Sequence, residues 1–134
     1  FFKVYKGKSK NVLCEIIQKI DKEKYSAVKI NKFIEKVKSS DTIISVCMTK
    51  DESNRVPEWE EIAAVSMAVQ NMWLSCYVND IGSYWSTPAL KDDYAKHSGL
   101  NSNQKSLGFF FMGSYKHLET PKVREGLDSK VEWV

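Results

Sequence analysis

From Pro57 to Asn79 the chain carries a helical pattern that is apolar on two sides. Ile62, Val65, Val69, Trp73 and Tyr77 recur along one stripe, and Ala63, Met67, Gln70, Leu74 and Val78 along another. Pro57 opens the pattern. Glu58, Glu60 and Glu61 fill the first turn, where unpaired backbone amides favour negative charge. A surface helix needs one apolar face, whereas a helix with two is covered over most of its circumference. In a chain of 134 residues the second covering comes either from a central place in the core or from another subunit. Gln70 and Asn71 sit mid-helix and need hydrogen-bond partners if they are buried.

The remaining pattern alternates strands and helices. "FFKVYKG" reads as a strand ending in a glycine turn. Ser9 is placed to cap a helix running through Ile20, and residues 27–38 form a second one with Val28, Phe33, Ile34 and Val37 apolar. "TIISVCM", 42–48, is an apolar run that suits a central strand buried on both faces. A short helix is predicted near 90–97, a strand at 106–113 and a last strand in "KVEWV". Between the long helix and the short one lies "GSYWSTPAL", 82–90, two aromatics running into a Ser-Thr-Pro turn with exposed backbone amides.

Charge is unevenly spread. Residues 1–40 hold eleven lysines and four acids, a net +7, and residues 41–134 a net −4. A basic arm can bind nucleic acid. Here the lysines alternate with Ile, Val and Phe at helical spacing, the pattern of a solvated helix face. Cys14, Cys47 and Cys76 are far apart and each lies in an apolar pattern, which reads as buried thiols in a reducing, cytoplasmic setting. No apolar run is long enough to span a bilayer, and the first residues lack the apolar stretch of a signal peptide. No metal-ligand spacing, phosphate loop or nucleophile–base pair occurs, and His97 and His117 stand alone. That is the pattern expected where chemistry belongs to a cofactor.

"VPEWEEIAAVSMAVQNMWLSCYVNDIGSYWSTPAL", followed by "LGFFFMGSY", resembles the nitroreductase family of FMN-dependent oxidoreductases, in particular its short members. The resemblance runs from "FFKVYKG" to "KVEWV". It implies an α+β fold, an antiparallel β-sheet flanked by helices, in an intertwined homodimer with FMN at the interface and a C-terminal tail that adds a strand to the partner's sheet. It also implies that hydride passes from NAD(P)H through FMN to nitroaromatic or quinone-like acceptors. Residues 1–134 are expected to form a single nitroreductase-like domain.

The resemblance carries over residue by residue. The segment matching Trp85, Ser86 and Thr87 lies along the flavin in such proteins, with backbone groups at the ring edge and Pro88 stiffening the turn. Taken alone, Trp85 reads as a core aromatic after a helix; the surrounding block is what favours the flavin. Lys122 and Arg124 sit where the family holds the FMN phosphate; taken alone, they are a pair on a solvated tail. The helix end "SCYVND", 75–80, matches a region associated with the nicotinamide cofactor, and a capped helix terminus accounts for it as well. One departure stands out. Family members carry an earlier segment whose arginine grips the phosphate, and Arg55 and Arg124 are the only arginines here. The chain is therefore expected to be a piece of a longer protein or to lack half of the flavin site. The alternative function is a dimeric flavin-binding or flavin-free domain without turnover. No side-chain catalyst, metal, nucleic-acid partner or membrane partner is expected.

Overall fold

A computed structural model describes residues 1–21, 23–116 and 125–134. Its sheet is built round the predicted apolar run. β2 (Thr42–Thr49) lies between β1 (Phe2–Lys6) and β4 (Gln104–Gly113), and β3 (Gly82–Ser86) forms the edge beside β4. All three pairings are antiparallel. Ile43 through Met48 are all buried, as a strand covered on both faces requires.

Successive strand residues point to opposite faces. Ile43, Phe109 and Phe111 therefore enter one core, and Ile44, Val46 and Phe110 another. The first core is closed by α1 (Ser9–Gln18), α2 (Ala27–Ser39) and α4 (Lys91–His97). Phe33 of α2 and Tyr94 of α4 set their rings edge-on to Phe109, with centroids 4.9 and 4.8 Å away. Among the described residues, the second core is covered by α3 (Glu58–Val78). The architecture is thus the expected α+β fold, an antiparallel sheet flanked by helices.

Local differences have local causes. α1 ends at Gln18, and Ser9 caps nothing within it. The Ser9 hydroxyl instead accepts from the Lys6 amide and donates to the Lys6 carbonyl, closing the turn after β1. Residues 82–86, which lead into the Ser-Thr-Pro turn and carry no predicted element, pair with β4 as a strand. The stretch "KVEWV" is not a strand. Residues 125–134 hold one 3₁₀ turn, Leu127–Ser129, and are all exposed, Trp133 at 93%. A strand forms only against a partner edge, and among the described residues the tail lies against neither open edge of the sheet, β1 or β3.

The two stripes of α3 meet different fates. Of the first stripe, Val69 is buried against the sheet and Val65 packs beside it, joined by Cys76 and Met72 from outside either stripe, whereas Trp73 and Tyr77 are 39% and 75% exposed. The second stripe faces outward, with Met67 64%, Leu74 53% and Val78 79% exposed. Gln70 and Asn71 are exposed too and so have water as a partner. The helix ends in a Schellman-type cap. The Ile81 amide donates to the Cys76 carbonyl at 2.9 Å, and Asp80 takes a left-handed φ of 53°.

A buried carboxylate joins α4 to the start of α2. Asp93 lies within hydrogen-bonding distance of the Lys24 ammonium (2.6 Å), the Lys96 ammonium (2.8 Å) and the Tyr25 hydroxyl (2.6 Å). Lys24 first, then Lys96 and Tyr25, hold its carboxyl well below the usual carboxylate range. A carboxyl depressed in the folded state stabilises the fold above its unfolded value, near pH 4, and loses that contribution as pH falls. Asp93→Asn is expected to cost roughly 1–3 kcal/mol at neutral pH, because the carboxylate is buried while both ammonium groups reach water. The deficit relative to the unaltered protein should shrink in denaturant titrations below pH 4. A deficit independent of pH would show that charge is not what the cluster supplies.

Candidate functional site

The residues singled out at 85–87 are placed by an irregularity in β4. The register with β2 runs Val46 to Gly108 and then Cys47 to Ser106, leaving Leu107 as the extra residue of a β-bulge. A bulge releases a carbonyl from the ladder. The Leu107 carbonyl accepts the indole N–H of Trp85 at 3.1 Å. The Trp85 ring packs, partly buried, into the core beneath α3. Trp85 therefore serves as an anchor, and its backbone, not its ring, leads into the turn.

Gly108 makes the approach possible. Its φ is +113°, and a Cβ there would sit 2.3 Å from the Ser86 carbonyl oxygen and 3.1 Å from the Thr87 methyl. Only glycine lets the two strands come that close. On the far side of the turn, the Tyr25 hydroxyl, shared with Asp93, lies 3.1 Å from the Ala89 carbonyl. Leu90 is buried in the first core, and the Lys91 amide donates to the Pro88 carbonyl at 3.0 Å. The segment is thus fixed at Trp85, Ser86, Ala89 and Leu90. Thr87, between these anchors, is exposed, and neither its amide nor its hydroxyl hydrogen-bonds within the described residues. A rigid turn with a free N–H can recognise an acceptor atom at the edge of a planar ligand.

Of the predicted site residues, Trp85, Ser86 and Thr87 are thus contiguous and anchored, whereas Lys122 and Arg124 lie outside the described residues, as does His117. His97 is exposed at the end of α4. Burial pushes the Cys14 and Cys47 thiols up, which leaves neither a ready nucleophile at neutral pH. Sequence reasoning missed the supports: Leu107, Gly108, Tyr25 and Asp93. For Gly108 a signal existed, since a glycine inside a strand pattern marks a bulge or a close backbone approach. For the Tyr25–Asp93 pair, distant in sequence, none did.

The model of the Nitroreductase family matches residues 10–114. Among solved structures, the nitroreductase-like family protein from Bacillus cereus shares 21% identity, with a TM-score of 0.86 over 100% of this chain and 72% of its own. A nitroreductase-type protein from Desulfovibrio desulfuricans, solved in complex with FMN, shares 18% identity and has a TM-score of 0.65 over 98% and 69% of the two chains. A variant of the FMN and NADPH-dependent nitroreductase NfnB from Sphigopyxis sp. strain HMH shares 12% identity and has a TM-score of 0.66 over 99% and 78%. At these identities the likeness is one of fold. No curated protein matches the chain.

Proposed function

The chain belongs to the nitroreductase family, and from that membership we propose that it is an FMN-dependent oxidoreductase. When bound, FMN would supply two-electron chemistry between NAD(P)H and a nitroaromatic or quinone-like acceptor. The observation that carries the reading is the anchored turn with its unpartnered Thr87 amide. That turn suits the edge of a flavin ring, because a fixed donor there favours the electron-rich reduced form without reorganising. Gly108 and Trp85 act as positioning residues for Ser86 and Thr87. Lys122 and Arg124 would hold the phosphate, Arg124 through the paired N–H donors of its guanidinium. The outer stripe of α3 joins two copies into a homodimer, and the exposed tail from Glu125 onward reaches the second copy.

The test begins with colour. The purified protein should be yellow, or turn so with FMN, and its visible absorbance should bleach anaerobically with NADPH or NADH. A colourless protein that takes up no FMN would sink the reading. FMN uptake without bleaching by either nucleotide would leave a flavin-binding domain without turnover.

The phosphate role has its own test. Arg124→Ala should weaken FMN by roughly tenfold or more, about 1.5–3 kcal/mol. Riboflavin, which has no phosphate, should be nearly indifferent. Equal loss for both flavins, or loss for neither, would remove Arg124 from the phosphate site.

A further inference from the structure

A cleft of about 700 Å³ opens at the start of β3, between the C-terminal ends of α2 and α3. It lies at the other end of β3 from the Ser86–Ala89 turn, about 13 Å along the strand at 3.3 Å per residue. The flavin reading makes no use of it. Its size is that of a small-molecule site.

Its walls are aromatic. Tyr84 stacks on Phe111, with centroids 5.2 Å apart and planes 14° from parallel. Trp73 and Tyr77 of α3 face the cleft from the other side of the strand, and Tyr115 closes its end. Gly82 is required there, because a Cβ would come within 2.9 Å of the Tyr115 ring. One cation enters, Lys36, whose ammonium lies 5.9 Å from the Tyr84 ring centroid. Among the described residues Lys36 forms no ion pair, and no carboxylate lines the cleft. The first forty residues carry a net +7, which biases the surroundings toward anions.

Aromatic walls with one unpaired ammonium and no acid define a ligand class. The flat faces take a planar ring. The single cation balances one negative charge; a phosphate dianion calls for several donors. We propose that this cleft binds a small planar aromatic carboxylate, with its ring among the aromatic side chains and its carboxylate on Lys36. The site is independent of the flavin and stands whether or not the chain proves to be an oxidoreductase.

The experiment uses salicylate as probe and salicylamide as its neutral counterpart, on the protein in its native assembly, read by titration calorimetry and saturation-transfer NMR. Salicylate should bind about tenfold more tightly than salicylamide. Lys36→Gln, on an exposed helix position, should bring salicylate down to the salicylamide level and leave salicylamide unchanged. Ser83→Trp, at the mouth of the cleft, should weaken both. Saturating FMN should displace neither. Equal affinities for the two probes, indifference to Lys36→Gln, displacement by FMN, or no binding to the native assembly would each overturn the proposal.

Discussion

Gly108→Ala is expected to cost about 3 kcal/mol or more and to lower the melting temperature by on the order of 10 °C. Two effects add. A φ of +113° is strained for any residue with a side chain, and the new methyl would stand 2.3 Å from the Ser86 carbonyl oxygen. The clashing atom is backbone, so relief requires β3 and β4 to separate. Gly99 provides the comparison: its φ is +73°, but a Cβ there would meet nothing within 4 Å. Gly99→Ala should therefore cost only about 1 kcal/mol, the conformational part alone. Urea denaturation of the two variants separates strain from collision. If Gly108→Ala were no worse than Gly99→Ala, the close approach would not be a constraint on the fold. Since the displaced group is Ser86, flavin affinity should also fall in Gly108→Ala and hold in Gly99→Ala.

The second large effect divides the two stripes of α3. Val69 is 1% exposed, between the helix and the sheet. Val69→Glu buries an unpaired carboxylate at a cost of several kcal/mol, comparable with the margin of about 5–15 kcal/mol that holds a domain together. That variant should fail to fold. Leu74→Glu changes the outward stripe, where the side chain is 53% exposed, and leaves the intrachain core intact. It should fold, with an unaltered circular dichroism spectrum, and sediment as a monomer. The unaltered protein should sediment as a homodimer burying well over ~1,600 Å². A Leu74→Glu protein that remained dimeric at micromolar concentration would move the interface off this stripe.

The flavin turn and the α3 interface depend on each other in the proposed assembly. The family resemblance puts FMN at the interface between two copies, so separating them opens the site even where the core around Trp85 stays intact. Dimer-breaking variants are therefore expected to lose FMN as well as mass.

Periodicity in the sequence was enough to place β2, α2 and α3, because each announces its burial locally. Six consecutive buried residues in β2 have only one reading as a strand, and α2 shows its buried face at helical spacing in Ile30, Phe33, Ile34 and Val37. The motif at 82–90 likewise marked the segment that the fold anchors at Trp85, Ser86 and Ala89. Only the tertiary structure decided which stripe of α3 meets the sheet, since both are apolar and hydrophobicity cannot rank them. It alone made residues 82–86 a strand, because a short edge strand is defined by its neighbour β4 more than by its own residues. It left "KVEWV" without a ladder: residues 130–134 pair with neither open edge of the sheet, β1 or β3, and pairing depends on position in space, which the tail's own residues do not set. The supports of the turn came from the same source. Leu107 and Trp85, Gly108 and Ser86, and Tyr25 and Ala89 are contacts between residues distant in sequence, so their chemistry becomes visible only when the sheet and helices bring them together.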